Sequence, residues 1–107
     1  MMKNYIIDSH CHLDYFDYHN EINDVINRAS KNNIKKMLTI CTNPANLDLV
    51  KNISEKYEQI FFAAGQHPLN LTKQNKFTEK DLLEISKHPK MIGIGETGLD
   101  YHYSVDN

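Results

Sequence analysis

Tyr5-Ile6-Ile7-Asp8-Ser9-His10-Cys11-His12 passes within a few residues from a β-type apolar run to a cluster of polar, metal-capable side chains. Three later apolar runs follow it. Met37-Leu38-Thr39-Ile40-Cys41 is a second buried-strand candidate, and Ile60-Phe61-Phe62-Ala63-Ala64 is a third, closed by Gly65-Gln66-His67-Pro68. Met91-Ile92-Gly93-Ile94-Gly95 is the fourth, followed by Glu96-Thr97-Gly98-Leu99-Asp100-Tyr101-His102-Tyr103. The runs recur at intervals of about 30 residues, the length of a βαβ unit. Between the first two, Ile22, Val25, Ile26 and Ala29 fall at i, i+3, i+4 and i+7, the stripe of an amphipathic helix. Asn32-Asn33 stops it, because Asn tolerates the left-handed conformation that ends helices.

The next helix takes Thr42 or Asn43 as cap, Pro44 in its first turn and Leu47, Val50, Ile53 and Tyr57 as its apolar face. Thr78-Glu79-Lys80-Asp81 resembles a capping box for a third helix carrying Leu82, Leu83 and Ile85, ended by His88-Pro89. Continuous apolar strands alternating with helices predict an α/β fold of parallel β/α units, with a sheet covered on at least one face.

A chain of 107 residues suffices for one compact domain. Its 12 Lys and Arg against 14 Asp and Glu give a net charge of −2, which excludes the broad basic footprint of non-specific DNA binders. A polyanion bound here must therefore meet something other than surplus Lys and Arg, and a divalent metal would serve. Cys11 and Cys41 have no CxxC spacing and form no disulfide framework, as suits a reducing compartment. Asp8 interrupts the apolar amino-terminal run too early for a signal peptide, and nothing approaches the roughly 20 apolar residues of a membrane span. A soluble, cytoplasmic protein without a membrane partner is the expectation.

The metal-capable residues lie at the carboxyl ends of the predicted strands: His10 and His12 after the first, His67 after the third, Glu96 after the fourth. Ligand sites of open α/β sheets and barrels form at that edge. On a strand, i and i+2 share a face, so both imidazoles of His10-Cys11-His12 can reach one ion while Cys11 faces the packed side. Two surface histidines are the alternative for an isolated HxH; Asp8 before it and Glu96 on the same rim weigh against that. Glu96 follows Gly93-Ile94-Gly95, whose glycines admit close approach of chain or ligand, and a carboxylate there can bridge two metals about 3.5–4 Å apart. A helix N-terminal acid or a surface ion pair is its alternative. His67 could bind a phosphate, orient a water or cap the next segment. Asp100, Tyr101 and His102 are candidates for shaping the rim and supporting ligands, whereas His19 and His88 read as solvent-side or helix-end residues. No GxSxG, Gly-rich phosphate loop or paired CxxC supports another mechanism.

Three blocks together, Ile7-Asp8-Ser9-His10-Cys11-His12-Leu13-Asp14, Gly65-Gln66-His67-Pro68 and Ile94-Gly95-Glu96-Thr97-Gly98-Leu99-Asp100-Tyr101, resemble the TatD family of metal-dependent deoxyribonucleases. The resemblance implies a TIM (β/α)₈ barrel of the metallo-dependent hydrolase type, of which residues 1–107 would be the amino-terminal half, about the first four strands, with the carboxy-terminal half absent. It implies His10, His12 and Glu96 as metal ligands, with His67 and Glu96 in catalytic roles. It further implies divalent metal ions, two per complete site, with magnesium or manganese favoured and zinc an alternative. The implied reaction is hydrolysis of phosphodiester bonds in DNA, preferentially single-stranded, by metal-activated water. Further family ligands, two histidines and an aspartate from later strands, have no counterpart here. The isolated chain is therefore expected to be incomplete, its first and fourth strands open edges, in need of a carboxy-terminal half-barrel partner or self-association. A related hydrolase acting on a non-nucleic-acid ester or amide, and a non-catalytic truncated fragment, are the competing readings.

Overall fold

The computed structural model describes residues 4–70 and 76–102; residues 1–3 of the amino-terminal run and Tyr103 of the last polar segment lie outside them. Four parallel strands, β1 (Ile6–Cys11), β2 (Ile34–Cys41), β3 (Ile60–Ala64) and β4 (Met91–Ile94), form one sheet in the order β1-β2-β3-β4. The helices are α1 (Asp14–Tyr18), α2 (Ile22–Lys31), α3 (Leu47–Lys56) and α4 (Glu79–Ile85). Parallel neighbours in sequence order with helical crossovers are the β/α pattern the spacing predicts.

Alternation along the strands decides what packs where. Met37 on β2 and Ile60 on β3 join Leu13, Ile22, Ile26, Ala29 and Ile53 in one buried cluster beneath α2 and α3. Cys41, Phe62 and Ala64 join Val50 and Phe77 in a second. The β2–β3 register pairs Met37 with Ile60, Thr39 with Phe62 and Cys41 with Ala64, so one face of both strands is packed against helices throughout. The opposite face is not covered in this way. Ile7, Lys36, Leu38, Phe61 and Ile92 line an open apolar cavity of about 260 Å³ there. Ile7 and Ile92, on this face, are more than half exposed. Among the described residues β1 and β4 have no further strand beside them, as expected for a sheet that curves toward further strands.

Local signals explain most boundaries. Asn33 ends α2 in the left-handed region at φ 62°, and the Asn43 side chain accepts the Ala45 N–H to start a 3-10 turn, Pro44–Asn46, that leads into α3. Thr78 and Asp81 form the reciprocal capping box, both bonds present. Two expectations need correction, and one element was not foreseen. β1 runs on past its apolar run through Asp8-Ser9-His10-Cys11, and β2 starts before its own, at Ile34, because the two strands pair with each other there. Leu83 is 62% exposed and belongs to no core; Leu82 and Ile85 supply the α4 contact instead. The short helix α1 has no period long enough to be visible in sequence. Among the described residues, no helix is long and apolar enough to cross a membrane.

Candidate metal centre

β1 runs through Cys11, so His10 lies inside the strand and His12 directly after it. Their rings project to one side, with centroids 5.2 Å apart and planes at 80°. Cys11, between them, packs against the first core cluster. The strand end is tied to β2 by two bonds: the Leu13 N–H donates to the buried Thr39 Oγ1 at 2.9 Å, and His12 Nδ1 lies 3.0 Å from the Ile40 carbonyl oxygen. A carbonyl can only accept, so Nδ1 carries the proton and, in the neutral ring, Nε2 presents a lone pair. Asp8 is not among the clustered donors. Its Oδ1 accepts the His10 N–H at 3.0 Å and shapes the strand end.

Glu96 comes to the same place from β4. The Gly95 N–H donates to the Ala64 carbonyl at 3.0 Å, which brings the end of β4 against that of β3. The close approach expected around Gly93 and Gly95 is made at Gly65. A Cβ on Gly65 would stand 2.7 Å from both the Glu96 carbonyl oxygen and the Gly95 carbonyl carbon, whereas Gly93 and Gly95 have open space beside them. Gly65 is therefore what lets the backbone of Glu96 lie where it does.

The Glu96 carboxylate is shared among three imidazoles. Its Oε2 is 3.3 Å from His10 Nε2 and 3.8 Å from His12 Nε2, and its Oε1 is 3.3 Å from His67 Nε2. His67 follows β3, and its Nδ1 accepts the Leu69 N–H at 3.0 Å. That fixes the neutral His67 ring with its proton on Nε2, facing Glu96 Oε1. His67 is thus the opposite tautomer to His12: His12 offers a lone pair, His67 a proton.

The donor atoms of His10, His12 and Glu96 all lie within 4.8 Å of one another. Three atoms sharing one ion at about 2.0–2.2 Å stand roughly 3–3.8 Å apart; Glu96 Oε2 is already at that spacing from both imidazoles, and the widest pair would close by about an ångström. Two imidazoles with a carboxylate suit first-row divalent ions. This donor set fits a metal.

The thiols contribute nothing of that kind. Burial, then the charges of Asp8 and Asp14, push Cys11 up to about 12, so it stays a protonated core residue. Burial pushes Cys41 up to about 11, against a bond to the Asn43 backbone. Asp100 Oδ1 accepts the His102 N–H at 2.8 Å, and Tyr101 is exposed. His88 is more than a helix-end residue: it packs edge-on to Phe62 and its Nε2 lies 2.8 Å from Glu55 Oε1, tying α3 to the turn before β4. His19 ends α1 and stacks at a tilt on Tyr15.

A Buchnera aphidicola protein described as an uncharacterized metal-dependent hydrolase is 39% identical over 95% of this chain and 42% of its own length. The Escherichia coli K12 protein YcfH, also described as an uncharacterized metal-dependent hydrolase, is 34% identical over 94% of this chain and 38% of its own. The crystal structure of YjjV, a TatD homologue from Escherichia coli, superposes with a TM-score of 0.66 at 28% identity, over 90% of this chain and 38% of that one. The chain thus spans about two-fifths of the length of the curated relatives it matches, and its four strands are part of a TIM-type barrel. Residues 7–107 match the family model described as TatD related DNase, and the chain belongs to that family of metal-dependent hydrolases.

Proposed function

We propose that this chain supplies the amino-terminal rim of a deoxyribonuclease site that hydrolyses phosphodiester bonds, preferentially in single-stranded DNA. The observation that carries the reading is the convergence of His10, His12 and His67 on the two oxygens of Glu96 at one edge of the sheet. His10, His12 and Glu96 would hold divalent metal, magnesium or manganese before zinc, which when bound supplies positive charge to the phosphate and makes water acidic at neutral pH. The residues do the positioning. The Ile40 carbonyl keeps the His12 proton on Nδ1 and its lone pair outward, and the His67 Nε2–H faces Glu96 Oε1 at 3.3 Å. His67 is 25% exposed, so the same N–H can turn to a phosphate oxygen of the substrate.

Two ions per complete site need donors beyond these. Strands pairing with the free edges of β1 and β4 would bring them, whether from chain beyond residue 107, from a half-barrel partner or from a second copy. The free thiols Cys11 and Cys41 suit a reducing cytoplasm. The acidic charge balance of −2 favours one competing reading, a barrel hydrolase acting on an uncharged ester or amide.

Turnover of labelled single-stranded DNA by the purified chain, alone and with its completing strands, decides between them. The nuclease reading predicts hydrolysis with magnesium or manganese that disappears on chelation and in Glu96→Ala. Preferred turnover of an ester or amide by the completed barrel would overturn it.

A further inference from the structure

A second cavity, of about 340 Å³, opens beside the metal cluster and is lined by His12, Asp14, Tyr15, His19 and Asn46. We propose that it is a subsite for a nucleobase of single-stranded DNA, stacked on the Tyr15 ring; the proposal rests on the nuclease reading above. Its size lies at the low end of the range of about 300–1,000 Å³ typical of small-ligand sites. His12 belongs to both places, so an occupant of this cavity sits next to the group that is to be cleaved.

The wall is built, not incidental. Tyr15 is 60% exposed, yet its ring is braced edge-on by Phe16 with centroids 5.3 Å apart, and by His19 at 4.5 Å. Phe16 in turn packs on the first core cluster. A rigid, exposed aromatic loses little freedom when a base stacks on it. Opposite, Asn46 Nδ2 donates to Asp14 Oδ2 at 2.9 Å, joining the 3-10 turn before α3 to α1. Amide and carboxylate together offer the edge of a base both donor and acceptor groups.

Charge selects the part of the nucleotide that fits. No lining residue is Lys or Arg, and Asp14 would repel a phosphate. The π-face of a base is neutral and meets no such penalty. Stacking also suits a chain with no cationic surplus, because it does not depend on charge.

The test is binding of a short fluorescein-labelled oligothymidylate in manganese, compared with an abasic strand of the same backbone. The wild-type chain should bind the base-bearing strand about tenfold or more tightly. Tyr15→Ala should erase that preference without changing the affinity for the abasic strand, and Tyr15→Phe should keep it. Equal wild-type affinity for both strands would overturn the subsite and leave the nuclease reading standing. Equal loss for both strands in Tyr15→Ala would also overturn it, as a merely structural effect. Manganese-dependent binding of neither strand would overturn both.

Discussion

Glu96 has two oxygens and three imidazole neighbours, and the neighbours differ in what they offer. That difference was not legible in the sequence. His10, His12 and Glu96 could be picked out because i and i+2 share a strand face and because all three follow apolar runs. The tautomers could not, since they depend on the Ile40 carbonyl and the Leu69 N–H, which only folding brings into place. Gly65 is the other hidden residue. Gly65→Ala drives a methyl into the backbone of Gly95 and Glu96. Overpacking of that kind costs about 1–3 kcal/mol, and here it also displaces the carboxylate. Urea unfolding should show the loss in stability, and metal titration a loss of affinity; a variant normal in both would remove Gly65 from the account. Cys41 makes a separate point about burial. Its thiol is held at about 11 against 9.0 for an ordinary cysteine, so the folded state holds that proton more tightly than the unfolded one. The corresponding stability is whole below pH 9 and is lost as the pH rises through 11. Native-state alkylation of Cys41 should accordingly be slow at pH 8 and fast in urea, and equal rates would contradict the burial.

The strands were legible as elements because each apolar run is short, rich in branched or aromatic residues and bounded by Gly, Pro or Asn. β3 matches its run to the residue, since both neighbours and the helices bury it. β1 does not, because an edge strand is set by its pairing with β2 more than by its own side chains. α1 escaped because five residues hold barely more than one turn, and with it went Tyr15 and the cavity it lines. Thr39 links these elements. It is wholly buried on β2, and its hydroxyl receives the Leu13 N–H one residue beyond His12. Thr39→Val preserves the shape and orphans that N–H, a loss of about 1–3 kcal/mol. Chemical denaturation should show it, and the freed strand end should weaken metal binding through His12. Unchanged stability would mean that another acceptor takes over the bond.

Across the whole molecule, helices pack one face of the central strands and an apolar cavity opens on the other, with β1 and β4 as the sheet's edges among the described residues. The parallel order and the site's edge followed from the alternation of strand and helix. The asymmetry of the two faces did not, because strands that read as apolar throughout give no sign of which side lacks a partner. An open apolar face with free edges should drive association of the 107-residue chain at rising concentration, visible in sedimentation velocity. Ile7→Lys or Ile92→Lys, on the open face, should suppress it; a wild-type chain that stays monomeric at every concentration would contradict this. The central claim, however, is that His10, His12 and Glu96 form a metal site steadied by His67, and isothermal titration of manganese into the purified chain tests it most directly. Saturable binding is expected, abolished in His12→Ala and Glu96→Ala, weakened in His67→Ala and unchanged in His19→Ala. Absence of binding to the folded wild-type chain, or binding that survives Glu96→Ala, would contradict it.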